Sequence, residues 1–204
     1  MPIDHTRTIV QAEYDDIWDA AWDQGEIFWQ QHGIESRRAI PSKLGKGEVR
    51  KIELRSGFRI VIETSLFWRS LYLDYGSDST EQLFSNFYLA GSHRMINPGL
   101  EREADREESA GENCLCYLAG ARFLEYRPAE QMLQHVSVKV DFEQLRSFGL
   151  AEESPSPLVG ALVQGQSASR FHQSFYSTAA IPTMLQQILD CPYSGATQRM
   201  YLEA

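Results

Sequence analysis

Between Glu48 and Val140, apolar side chains recur at every second position in short separate runs, and a chain patterned this way must bury one face of each run against another layer. Phe58, Ile60 and Ile62 alternate with Arg59 and Glu63 after a turn at Ser56-Gly57. Leu71, Leu73 and Tyr75 repeat the pattern ahead of a turn at Gly76-Ser77-Asp78. Cys114 to Tyr126 reads as strand with a break at Gly120, and Val136, Val138 and Val140 alternate with polar partners. Leu83 to Gly91 carries Leu83, Phe87 and Leu89 on one face and Phe84 and Tyr88 on the other, so neither face is free. Roughly six or seven strands with turns at short intervals predict an antiparallel sandwich or small barrel rather than a parallel sheet with crossover helices.

The flanks follow a different period. From Ala12 to Gln31, Ile17, Trp18, Ala21, Trp22, Ile27, Phe28 and Trp29 fall at helical spacings, with Gly25 a candidate break, and a polar connection from Ser36 to Gly47 follows. The charged run between His93 and Asn113, including Glu101, Arg102, Glu103, Asp105, Arg106, Glu107 and Glu108, reads as a solvated loop or short exposed helix. Asp141 can cap a short helix through Phe142, Leu145 and Phe148 that Gly149 ends. A looser stretch with Pro155, Pro157, Gly160 and Gly165 has room for a short helix at Leu158 to Val163. Ile181 to Leu189 then places Met184, Leu185, Ile188 and Leu189 on one helical stripe, which can pack internally or form a dimer seam. A last helix from Ala196 to Ala204 ends without a cap, so the polypeptide is expected to continue.

Charge and chemistry narrow the function. The chain has 19 basic and 28 acidic residues for a net charge of −9, a balance that repels a phosphate backbone, so this segment is not expected to bind nucleic acid. No apolar run is long enough to span a bilayer and the N-terminus carries no secretory signal, which points to a cytoplasmic protein without a membrane partner. There is no phosphate-binding glycine loop, dinucleotide fingerprint, His-Glu-x-x-His or Gly-x-Ser-x-Gly, and the expectation is a non-enzyme with no cofactor. His5, His32, His93, His135 and His172 are scattered and lack metal-site spacing. Cys114-x-Cys116 puts two thiols on one face of a strand, where they could share a soft metal or a disulfide. No second pair stands at a structural zinc spacing, so buried thiols and no metal are expected.

The strand region is rich in aromatics, among them Tyr75, Phe84, Phe123 and Tyr126, interleaved with arginines such as Arg59. Such residues can line a barrel mouth as rigid apolar walls with oriented polar groups, and they can equally be ordinary core. The candidate ligand-binding residues are Arg55, Phe58, Trp68, Tyr72, Phe87, Tyr88, Tyr117 and Arg122. Met184, Leu185, Ile188, Leu189, Met200 and Tyr201 are the candidates for a dimer or linker helix.

Gly45-x-Gly47 with Ile52-Glu53-Leu54-Arg55-Ser56-Gly57, then Phe87-Tyr88-Leu89-Ala90-Gly91, then Val136 to Asp141 leading into Leu145-Arg146-Ser147-Phe148, resembles the sensor half of AraC-family regulators of the pyochelin-regulator (PchR) type. The closing stretch, Met184 to Gly195 followed by Arg199-Met200-Tyr201-Leu202-Glu203-Ala204, resembles the segment that in this family leads into the DNA-binding part. The resemblance spans about residues 45 to 204. Beside the N-terminal helical segment and connection that periodicity gives over 1–47, it implies a mainly β fold with C-terminal helices: a cupin-like antiparallel sandwich or barrel over 48–140 and a helical dimerisation or linker region over 141–204. It further implies a small-molecule effector such as a ferric siderophore, control of iron-uptake genes, and DNA contact through a helix-turn-helix domain that this chain lacks, while the helical stripe leaves a homodimer and internal packing as equal alternatives. A cupin-type enzyme on small molecules and an interaction module without a small ligand are the competing readings.

Overall fold

The computed structural model describes residues 8–75, 82–96, 105–120, 122–147, 160, 170–178 and 180–204. Thirteen strands among them form two sheets. The smaller has the order β1 (Ile9–Val10), β6 (Leu71–Tyr75), β11 (Phe123–Arg127), β8 (Ser92–Ile96), β9 (Asp105–Ser109). The larger runs β13 (Phe171–Tyr176), β10 (Glu112–Tyr117), β7 (Gln82–Ala90), β12 (Met132–Asp141), β5 (Phe58–Phe67), β4 (Gly45–Arg55), β3 (Glu35–Ala39), β2 (Gln30–His32). Every pairing is antiparallel except β1 with β6. Among the described residues the helices with defined bounds are α1 (Gln11–Asp23), α2 (Phe142–Ser147), α3 (Ala180–Leu189) and α4 (Gly195–Glu203). The fold is mainly β with C-terminal helices, as the alternation predicted.

Strand parity gives the larger sheet two different faces. Ile52 and Leu54 of β4, Ile60 and Ile62 of β5 and Val136 of β12 form a buried apolar cluster with Leu185 of α3, and Ile188, Leu189 and Leu202 pack against it. The alternate positions, among them Lys51, Arg59, Val61, Glu63, His135, Ser137 and Lys139, turn to the other side and line cavities there. Hydrophobic burial therefore fastens the terminal helices to one side of the sheet and leaves the polar side for something else; a fully buried leucine such as Leu185 contributes about 2 kcal/mol to that attachment.

Polar contacts fix the register of the helices. Glu35 on β3, 4% exposed, accepts from Arg50 Nε at 2.7 Å and from Gln198 Nε2 of α4 at 2.8 Å. Arg50 also donates through Nη1 to the carbonyl of Leu189 at 3.3 Å. The Gly45-x-Gly47 motif has a backbone cause: a Cβ at Gly45 would lie 2.2 Å from the Leu66 carbonyl oxygen and one at Gly47 2.0 Å from that of Thr64, and Gly47 has φ +135°. Asp141 caps α2 as expected, accepting from the Gln144 amide at 2.8 Å.

Three local expectations are corrected. The helix predicted over 12–31 stops at Asp23, and Gln30 to His32 form a strand. The connection predicted over 36–47 contains β3 and the start of β4, because pairing with β4 recruits Glu35 to Ala39 despite their polarity. The described parts of the charged run beyond His93 are not a solvated loop: residues 93–96 belong to β8 and 105–109 form β9, and Glu108 is 1% exposed with His93 and His172 as its partners. The turn at 76–78, the ends of the predicted helix at Phe148 and Gly149, Glu101 to Glu103, and the short helix predicted over 158–163, apart from residue 160, lie outside the described residues. Among the described residues no helix is long and apolar enough to cross a membrane.

Candidate functional site

A cavity of about 550 Å³ lies between the sheets, walled by β5, β7 and β12 on one side and by β6, β8 and β11 on the other. Its size falls in the range of small-molecule sites. Tyr75 and Phe123, paired across β6 and β11, stack at 4.8 Å with an angle of 15° between their planes and form an aromatic wall with Phe84 and Tyr88.

The floor is a buried ionic network. Arg127 donates from Nε to Glu125 Oε1 at 2.8 Å and from Nη1 to Glu63 in a short contact, and Ser65 donates to Glu63 at 2.8 Å. His93 stands between two carboxylates, with Nδ1 2.7 Å from Glu125 Oε1 and Nε2 2.8 Å from Glu108 Oε2. Tyr88 donates to Glu108 Oε2 in a short contact, and His172 Nε2 meets Glu108 Oε1 equally closely. Three carboxylates thus face three cations, which is how buried charge is tolerated. Burial disfavours each charged form, but the partners win: Arg127 and His93 hold Glu125 well below the usual carboxylate range, and His172 and His93 do the same for Glu108. At His135, which also lines the cavity, burial outweighs the nearby Glu63 charge and pushes the pKa down to about 4.

These shifts predict a stability optimum near pH 6.5. Burial opposes charge on His93, yet Glu125 and Glu108 raise its pKa to about 9 from a reference of 6.5. A raised histidine gives stability that is complete below the unfolded pKa and lost as pH climbs from 6.5 to 9, on the order of 3 kcal/mol. His135 has the opposite sign: its unfolded form binds the proton first, so stability falls as pH drops from 6.5 towards 4. Urea unfolding of His93→Gln across pH 5 to 9.5 should show a flatter alkaline limb than the parent; identical limbs would contradict the assignment.

A second chamber of about 240 Å³ adjoins the first and shares Val61, Glu63, Tyr75, Arg127 and Lys139 with it. Arg38, Lys51, Arg59 and Lys139 converge here, and among the described residues none of the four has a salt bridge. Arg38 lies over Trp18 at 4.1 Å and Trp29 at 4.8 Å, Lys51 lies 4.3 Å over Trp29, and Arg59 donates to Gln82 at 3.0 Å. Burial and then Arg38, Arg59 and Lys139 push the Lys51 pKa down, and burial followed by Arg59 does so at Lys139. In a chain of net charge −9, positive charge with no salt bridge among the described residues is gathered beside the cavity.

Of the eight candidate ligand residues, only Tyr88 lines the main cavity. Phe58 and Phe87 occupy the opposite parity and pack in the cluster under the terminal helices. Arg55 holds Glu203 of α4 through two hydrogen bonds of 2.9 Å. Trp68 donates to the Ser42 carbonyl at 2.8 Å, and Tyr72 pairs across strands with Tyr126. Tyr117 is buried with Phe142 and Phe171, and exposed Arg122 binds Asp74 beside the cavity. From the helix set, Leu185, Ile188 and Leu189 pack internally, whereas Met184, Met200 and Tyr201 are exposed. The ionic floor was missed because Glu63, Glu108 and the Glu125–Arg127 pair belong to three different strands, β5, β9 and β11, and only the packing of the two sheets brings them together.

The family model described as the regulatory protein PchR N-terminal domain matches residues 45–204. No curated protein sequence matches the chain. Among solved structures, the chain is similar to the AraC-like transcriptional activator CuxR, with a TM-score of 0.48 and 11% identity over 87% of this chain and 55% of that one. It is similar to ToxT from Vibrio cholerae at a TM-score of 0.43 and 8% identity, over 72% of this chain and 52% of that one. For the bacterial pirin YhhW from Escherichia coli, solved with nickel(II), the values are 0.38 and 13%, over 76% and 56%. The chain therefore spans about half the length of these proteins.

Proposed function

Because this chain belongs to the regulatory protein PchR N-terminal domain family, we propose that it is the ligand-sensing part of an AraC-type transcription regulator whose effector is a ferric siderophore or a similar aromatic, anionic small molecule. The carrying observation is that one sheet serves both sides: β4, β5, β7 and β12 present polar residues to the cavities and an apolar face to α3 and α4. Aromatic walls at Tyr75 and Phe123 suit a planar ring, and the cations of the second chamber supply charge-assisted hydrogen bonds to phenolate or carboxylate oxygens. An effector that draws Arg38, Lys51 and Arg59 together tightens β3, β4 and β5, and the Glu35–Arg50–Gln198 contacts carry that difference to the terminal helices. It shifts the helices only to the extent that it binds their two arrangements unequally.

On this reading DNA contact and control of iron-uptake genes belong to the remainder of the regulator. Exposed Met184, Met200 and Tyr201 are the surface left for a homodimer seam or for docking that remainder. The domain carries out no reaction of its own.

Trp18 lines the second chamber and Trp29 lies under its cations, so tryptophan emission reports occupancy directly. Titration with a panel of iron-loaded phenolate and catecholate siderophores, with the iron-free ligands alongside, should give a saturable change for at least one complex. No response across the panel, checked by calorimetry, would remove the siderophore reading.

A further inference from the structure

We propose that Cys114, Cys116 and His172 form a second binding site, for a soft monovalent metal ion of the copper(I) type, set behind the cavity wall. Alternation along β10 places both thiols on one face, and pairing with β13 sets His172 directly across from Cys116. One donor atom from each residue lies within 4.8 Å of the other two. Donors bound to a shared ion at roughly 2.0–2.3 Å stand about 3.5–4 Å apart, so closure needs side-chain shifts of under about 1 Å.

Packing alone does not explain the cluster. Both thiols are fully buried among Tyr88, Met95, Leu118 and Leu133, where a small hydrophobe would suffice, yet the face also holds an imidazole in contact with Cys114. That imidazole is oriented by Glu108 at Nε2, the carboxylate–histidine arrangement that fixes ring position and raises basicity in metal ligands. Thiolate donors select soft cations, and among the described residues the set stops at three, which suits trigonal copper(I) better than zinc with its four ligands. Binding is not a redox step: the ion enters and leaves as copper(I), each thiol gives its proton to solvent as its sulfur–metal bond forms, and the His172 imidazolium releases the proton of the nitrogen that faces the thiols to solvent, freeing the lone pair it contributes while its other nitrogen stays protonated against Glu108.

The site does not depend on the siderophore reading, but it touches the cavity. Glu108 contacts His172 on one oxygen and Tyr88 and His93 on the other, and the last two line the cavity. Metal occupancy and cavity shape therefore share one carboxylate.

The test is anaerobic titration of the whole chain with copper(I) against a chromophoric chelator of known affinity. One equivalent should be retained, with sulfur-to-copper absorption in the near ultraviolet. Cys114→Ser and Cys116→Ser should each lose about 100-fold or more in affinity and Glu108→Gln about 10–100-fold, while Cys191→Ser stays at the parent value. Should the serine variants fail to fold, X-ray absorption of the loaded parent reads the shell directly: two sulfurs and one nitrogen are expected. A shell with fewer than two sulfurs, copper equally retained by both serine variants, tighter retention of zinc than of copper(I), or a Cys114–Cys116 disulfide in place of metal uptake would overturn the proposal.

Discussion

Arg127→Ala is expected to lower the unfolding free energy by about 3–5 kcal/mol, the largest loss foreseen for any single change at the site. Arg127 is 8% exposed and is the shared partner of Glu63 and Glu125, which are 9% and 5% exposed. Its removal leaves two carboxylates facing one another across a space with little water to solvate them. The protein can answer only by protonating one, which costs free energy at neutral pH, or by opening the cavity. A triple variant that adds Glu63→Gln and Glu125→Gln removes the stranded charges along with the cation. It should recover at least half of the loss. Urea denaturation at pH 7 measures all three proteins, and a loss below about 1 kcal/mol for Arg127→Ala would mean that water reaches the floor freely.

Lys51→Glu combined with Arg59→Glu should separate binding from stability. Charge-assisted hydrogen bonds are worth about 1.5–3 kcal/mol each, so loss of two with reversal of sign should weaken an anionic effector by about 100-fold or more. Stability should move the other way or hardly at all. Burial first and the neighbouring cations second lower the pKa values of Lys51 and Lys139, so the reversal relieves part of that repulsion at the expense of the Lys51–Trp29 contact. The tryptophan titration and a thermal melt on the same samples test both halves. Binding unchanged within threefold would exclude the second chamber as the anion subsite.

The architecture was largely legible in the sequence because period-two alternation is a local signal. The β4–β5 hairpin, β7, β12, the Asp141 cap and α3 all stand where the alternation, the turn residues and the amphipathic stripe put them. What failed locally failed by tertiary recruitment: Glu35 to Ala39 and Gln30 to His32 carry no strand pattern of their own and are strands because β4 offers them an edge. Parity divides the candidate ligand residues between the two faces. On β7 the sequence separates Phe87 from Phe84 and Tyr88 correctly, but it does not say which face meets the second sheet and which meets the helices. Aromatic content suggested Phe58 and Phe87 for the ligand, whereas the helices claim them because apolar surface is better spent on a permanent partner. Glu108 was concealed in a run of charges whose other members give no hint of burial, and His172 became a neighbour of the cysteines only through the β10–β13 pairing.

Coupling between the filled cavity and the terminal helices is read most directly by amide hydrogen exchange, with and without a saturating iron-loaded siderophore taken from the titration. The account predicts altered protection along β4, β5 and β12 and, beyond the cavity, across α3 and α4, both effects disappearing in the Lys51→Glu, Arg59→Glu protein. Protection that changes only in the cavity strands, leaving α3 and α4 as they were, would contradict it.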